Sequence, residues 1–240
     1  MSTSWLEVEG QENHEWLLER FLDLLVRAEP ASVLDVGCGS GKLMKRCLER
    51  GIQTSGIDQR SPTLEALKQE GLDVRVGSAY ELPLQDRSVD WVLLRHVPHH
   101  LADPNRAFAE ALRVARKGVL IAEPCFDGSL ACQRSAVALD VWEKAQHRRG
   151  GMIHDEVIDL GGLLAALPAG YQDAFEAEVH IHRRLRSRSV EAFQSTALGL
   201  LEDLQNPDAE RRTLELLLQR LRRDGLSWNG SMCLMLTRRA

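Results

Sequence analysis

Ala31-Ser-Val-Leu-Asp-Val-Gly-Cys-Gly-Ser-Gly-Lys42 is the stretch on which the fold turns. Val33, Leu34 and Val36 make an apolar run broken only by Asp35, and glycines follow at the alternate positions 37, 39 and 41. Leu43, Met44, Cys47 and Leu48 then recur at helical spacing. That order reads as a buried strand, a glycine turn and a helix. The turn lets a ligand approach the backbone where a Cβ would clash. A helix start just beyond it offers unpaired N–H groups and a positive dipole end, so a small and partly anionic ligand is expected here.

Outward from this stretch the chain alternates. Residues 12–28 carry Leu17, Leu18, Phe21, Leu22, Leu24 and Leu25 between charged positions, an amphipathic helix ended by Pro30. Downstream, strands are expected at 52–57, 72–77, 90–94 and 118–122, with helices at 62–69 and 104–115. Strands and helices at this pace mean βαβ units and a parallel sheet with helices on both faces. The second half reads as helices at 128–147 and 155–167, a strand at 174–185, two leucine-striped helices separated by Asn206-Pro-Asp208, and a last strand at 231–237. The leucine stripes are core seams or a dimer face, so the chain is expected to be a monomer or a homodimer.

Composition narrows the class. The 240 residues are 44% hydrophobic and 27% charged, as in an ordinary soluble domain, and the formal net charge of −5 disfavours a nucleic-acid coat protein. The polar, acidic start does not read as a signal peptide, and no run is long enough to span a membrane. Five scattered cysteines without CxxC spacing suggest neither a disulfide framework nor a zinc site; free thiols in a reducing cytoplasm are expected, and no metal.

Four features fall in register at strand ends: Asp35 and its glycine turn, Asp58 at 21 residues after Gly37, Ser78-Ala79, and Arg95-His-Val-Pro-His-His100. In a doubly wound sheet all four face one crevice. An acidic residue ending the second strand is suited to the two hydroxyls of a ribose, so the ligand contains a nucleoside. A dinucleotide site wants G-x-G-x-x-G, whereas here the turn is G-x-G-x-G followed by Lys42, which argues against NAD or FAD. The competing class is an adenosine ligand whose amino-acid tail lies along the loop.

Val33-Leu-Asp-Val-Gly-Cys-Gly-Ser-Gly41 resembles motif I of the class I S-adenosylmethionine-dependent methyltransferases. The run from Gly77 to Leu94, then His99-His100-Leu-Ala-Asp103 and Arg113 to Pro124, resembles the subgroup that contains the ubiquinone and menaquinone methyltransferases. The similarity covers roughly residues 30–124. It implies a seven-stranded Rossmann-like α/β sheet, six strands parallel and the last antiparallel, in a single methyltransferase domain over 1–240. Residues 30–124 would be its cofactor-binding half, and 125–155 and 186–226 a helical cap.

The resemblance implies S-adenosyl-L-methionine as cofactor, S-adenosyl-L-homocysteine as product and a small-molecule acceptor. A transfer RNA acceptor, or a non-catalytic scaffold of the same fold, stands as the alternative. Asp35, Gly37, Cys38, Gly39 and Gly41 would approach the methionine part and the ribose. Asp58 would hold the ribose hydroxyls, with Gln59 beside the adenine, Ser78 and Ala79 at its edge and Arg95 at the methionine moiety. Ser78 stands where the family often has an acid, and Lys117-Gly118 where it usually has a glycine pair. His99 and His100 sit where some small-molecule O-methyltransferases of the group keep a base. Glu123-Pro124 either orients the acceptor or only ends its strand. The basic run His180 to Arg188 reads as the solvated face of an edge strand.

Overall fold

The computed structural model describes residues 15–59, 61–183, 187–202 and 208–239. The expected start of the first helix before Glu15, residues 184–186 and the 203–207 turn lie outside the described residues. In chain order the elements are α1 (Trp16–Arg27), β1 (Ser32–Val36), α2 (Lys42–Leu48), β2 (Gln53–Asp58), α3 (Ser61–Gln69), β3 (Asp73–Val76) and β4 (Val89–Arg95). A 3-10 turn, Pro98–His100, leads to α4 (Pro104–Val114), β5 (Ala115–Cys125), α5 (Ala131–Arg149), α6 (Leu160–Ala165) and α7 (Tyr171–Ala174). The chain then forms β6 (Phe175–His182), α8 (Val190–Glu202), α9 (Asp208–Asp224) and β7 (Gly230–Arg238).

The seven strands form one sheet in the order β3-β2-β1-β4-β5-β7-β6. β1 to β5 pair parallel, and β7 runs antiparallel between β5 and β6. This is the expected six-plus-one sheet, with β6 as the edge strand. The order reverses between β1 and β4, and that switch point opens a crevice beyond their carboxyl ends.

Period-two alternation explains the two-faced core. Val33, Trp91, Leu93, Leu120 and Cys233 face α1, whose stripe of Leu18, Phe21, Leu22 and Leu25 is buried against them. Leu34, Val36, Val92, Leu94 and Ile121 face the other way, onto Phe108 and Leu112 of α4 and Leu163 of α6. Such strands read as near-continuous apolar runs because neither face meets water. A separate cluster joins α5, α8 and α9 through Leu139, Trp142, Phe193, Ala197, Leu217 and Leu221.

Two expectations are corrected. The helix expected over 155–167 forms only at Leu160–Ala165. Upstream, the Asp155 N–H is taken by the His99 carbonyl at 2.7 Å, and Asp159 caps the short helix by accepting from Gly162 N–H at 2.8 Å. The strand expected at 118–122 runs from Ala115 to Cys125, straight out of α4 with no glycine turn. Lys117 therefore lies in the strand, its ammonium 3.0 Å from buried Asp90. Gly118 is needed for close approach: a Cβ there would lie 2.4 Å from the Leu236 carbonyl oxygen and 2.6 Å from the Trp91 ring. Backbone cannot retreat as a flexible side chain can, so Gly118→Ala is expected to cost about 3 kcal/mol, read as a lowered urea midpoint at unchanged slope.

Candidate active site

The glycine turn sits at the switch point with all three glycines at positive φ, +72° at Gly37, +52° at Gly39 and +70° at Gly41. At Gly37 a Cβ would lie 2.7 Å from Val97, which follows β4, so the turn is pressed against the segment carrying the histidines. The amides of the turn are already paired within the protein. Gly37 N–H and Cys38 N–H both donate to the Ile57 carbonyl, at 2.7 and 3.1 Å, and Gly41 N–H to the Cys38 carbonyl at 2.9 Å. Gly39 N–H donates to Asp58 Oδ2 at 2.9 Å. The loop is thus tied to the end of β2, and its charged element is the Asp58 carboxylate.

Around this junction the other strand ends converge. Gly77 N–H donates to the Asp58 carbonyl at 3.1 Å, which brings Ser78 and Ala79 beside β2. Ser78 Oγ accepts from Tyr80 N–H at 3.2 Å, Ala79 is buried, and Gln59 is exposed next to Asp58. Asp35, on β1, is buried between two charges, Arg95 and Asp58. Burial pushes its carboxyl up to about 7; the Arg95 guanidinium opposes that rise and the Asp58 charge adds to it. Arg95 in turn is lowered by burial and supported by Asp35.

Asp35 gives a pH dependence of known sign. From about pH 3.8 to about pH 7 the unfolded chain has released this proton and the folded chain keeps it, so stability falls as pH rises through that window. The fall is on the order of 4 kcal/mol, since each pH unit crossed in the window removes roughly 1.36 kcal/mol. Asp35→Asn is expected to flatten it, measured as urea midpoints of both proteins between pH 4 and 8.

Beyond β4 the chain makes a sharp corner at His96, whose φ is +57° and whose N–H donates to the Ala122 carbonyl at 2.8 Å. Burial pushes the His96 imidazole down to about 3, helped by the Arg95 charge. His99 is 5% exposed, and its Nδ1 lies 2.7 Å from Oε2 of Glu123, which is wholly buried at the end of β5. Burial lifts Glu123 to about 8, against the pull of the Lys144 charge. It drives His99 down to about 3, as Lys144 also does, so the ring stays neutral. Lys144, on α5, is itself buried and pairs with Asp140 at 3.0 Å. His100 is exposed, with Nδ1 at 2.9 Å from the Ile153 carbonyl. The His154 ring lies 4.3 Å from that of His100 and 5.2 Å from that of His99.

The structure thus brings Asp35, Gly37, Cys38, Gly39, Asp58, Ser78 and Arg95 to one crevice, with His99 and His100 beside it. Glu123, expected either to orient the acceptor or only to end its strand, faces the His99 ring. Lys144, His154 and His147 were not legible as site residues: they come from α5 and the irregular segment after it, at no motif spacing.

Residues 34–122 match the family model described as a methyltransferase domain. The chain carries a class I methyltransferase domain. An uncharacterized methyltransferase of Mycobacterium tuberculosis is 41% identical over 100 residues, 40% of this chain and 40% of that protein. A demethylmenaquinone methyltransferase of Thermotoga maritima is 32% identical over 109 residues, 43% of this chain and 47% of that one. The methyltransferase domain therefore aligns with less than half the length of these relatives. A cyclopropane-fatty-acyl-phospholipid synthase-like protein of Lactobacillus casei shares the fold, with a TM-score of 0.68 at 16% identity, covering 92% of this chain and 90% of that one. Among the described residues no helix is long and apolar enough to cross a membrane.

Proposed function

We propose that this protein transfers a methyl group from S-adenosyl-L-methionine to a small-molecule acceptor. The observation that carries the reading is the Asp58–Gly39 junction at the switch point of a methyltransferase domain. A buried carboxylate there suits two ribose hydroxyls, and a scaffold would have no use for it. The remaining donors fit the same ligand: Gln59, Ser78 and Ala79 beside the adenine, and Arg95 with Asp35 at the charged methionine end. The turn Gly37-Cys38-Gly39 with Gly41 presents backbone without side chains.

When bound, the sulfonium supplies an already activated methyl group, so the demands on the protein are positioning and exclusion of water. The buried walls formed by Val97, Pro98 and His99 exclude water on the side of β4. The layer of α5, α8 and α9 covers the acceptor side.

Titration calorimetry with S-adenosyl-L-methionine tests the reading, followed by assay of S-adenosyl-L-homocysteine with panels of phenols, amines and carbon acids. One-to-one binding in the micromolar range is expected. No heat at millimolar cofactor would return the chain to the scaffold alternative, and product formed only with transfer RNA would replace the small-molecule acceptor.

A further inference from the structure

We propose that His99, His100 and His154 bind a divalent transition-metal ion, on the acceptor side of the site. One nitrogen from each imidazole lies within 4.8 Å of the others. Nothing in the sequence spacing groups them: His154 is 54 residues beyond His100, brought in by the segment after α5.

The second contact of each ring makes the group a ligand set rather than a chance cluster. The Ile153 carbonyl only accepts, so His100 Nδ1 carries the proton and its Nε2 holds a lone pair. Glu123 Oε2 sits behind His99 Nδ1 at 2.7 Å, the carboxylate–histidine arrangement that fixes a metal-binding imidazole and raises its basicity. His147 Nδ1 lies 2.8 Å from His154 Nδ1, with the two rings stacked at 4.9 Å. A proton on His154 Nδ1 satisfies that contact and leaves Nε2 of His154 for the ion. Three Nε2 atoms are therefore directed outward from three separate supports.

The surroundings suit a cation. Lys144 is the nearby ammonium, matched by Asp140 at 3.0 Å, and the carboxyl groups of Glu123 and Asp155 stand near the same rings. Tetrahedral coordination at about 2.0–2.1 Å places ligand nitrogens about 3.4 Å apart. Closure from 4.8 Å is a side-chain movement of exposed His100 and half-buried His154 toward buried His99. Three imidazoles without a thiolate select zinc, cobalt or nickel over magnesium or calcium. Three protein ligands leave a further position for water or an acceptor oxygen.

The function of the ion rests on the methyl-transfer reading, whereas its binding does not. A nitrogen that ligates an ion cannot also take a proton, so in the loaded protein His99 holds the ion and the acceptor loses its proton under the ion's charge. The test uses the tag-free full chain, freed of metal by chelation and titrated with Co2+. One equivalent is expected to develop the visible absorption of a tetrahedral cobalt centre, and Zn2+ to bleach it. His154→Ala is expected to weaken cobalt binding about 100-fold and His147→Ala about 10-fold, while His180→Ala leaves it unchanged. Calorimetry with S-adenosyl-L-methionine on the same variants reports whether each is folded and whether the cofactor reading holds by itself. No cobalt absorption in protein that still binds the cofactor overturns the metal site, as does a His154→Ala variant that binds cobalt as tightly as the parent. Cobalt binding without any cofactor binding keeps the metal site and removes the methyl-transfer role.

Discussion

Asp58→Ala is expected to weaken binding of S-adenosyl-L-methionine about 100-fold. The carboxylate ends β2, is 8% exposed, and accepts the Gly39 N–H at 2.9 Å. Removing it deprives the proposed ribose hydroxyls of a charged acceptor, where each such bond contributes about 1.5–3 kcal/mol. It also leaves Gly39 N–H without its partner and frees the turn from β2. A loss of about 2.7 kcal/mol is a factor of 100 in the dissociation constant. Asp58→Asn separates the two roles. Its carbonyl oxygen can still receive Gly39 N–H, so the turn stays ordered, but the charge is gone and an amide presents donors where an acceptor is wanted. An intermediate loss, about 10- to 30-fold, is expected for it by the same reasoning. Calorimetry of both variants at one pH checks this. A change under threefold in Asp58→Ala would show that the carboxylate does not hold the cofactor.

The reach of the sequence follows from what each feature depends on. The glycine turn, Asp58 and Arg95 were legible because strand periodicity fixes which residue ends each strand, and a parallel sheet puts all those ends on one edge. The alternation itself read only a parallel sheet with helices on both faces; the six-plus-one arrangement was what the family resemblance implied. The pairing of the turn was not legible, because hydrogen bonding across strands is not written in local spacing: Ile57 and Asp58, from the neighbouring strand, accept the N–H groups of Gly37, Cys38 and Gly39. The helix over 155–167 failed for a related reason. Val157, Leu160, Leu164 and Leu167 have helical spacing, yet the His99 carbonyl takes the Asp155 N–H and Asp159 sets the cap, so only the last turns form. Cysteine spacing was the wrong place to look for a metal. The candidate ligands are histidines from two distant segments, and only the packing of α5 and its following loop against the end of β4 brings them together.

His99→Ala is expected to lower kcat about 100- to 1000-fold while the dissociation constant of S-adenosyl-L-methionine changes less than threefold, a size typical of proton transfer by a positioned side chain. His100→Ala is expected to cost about 10-fold. The two neighbours differ because their surroundings differ. His99 is buried, and burial holds it neutral, while Glu123 fixes its orientation from behind; His100 is exposed and leans on one backbone carbonyl. Glu123 touches no substrate and acts through the ring, so it is a positioning residue with its own signature. Glu123→Gln keeps an acceptor for His99 Nδ1–H and should retain more activity than Glu123→Ala, with the loss falling on kcat rather than on KM for the cofactor. A structural role alone would lower stability in both variants without that ranking. Near-normal turnover in both His99→Ala and His100→Ala would remove the histidines from the chemistry. A large loss in His99→Ala leaves two origins, a missing proton acceptor or a missing metal ligand, and cobalt titration of the same variant separates them. Unchanged activity of the parent after chelation assigns the proton to the imidazole, and activity restored by Zn2+ or Co2+ assigns it to the ion.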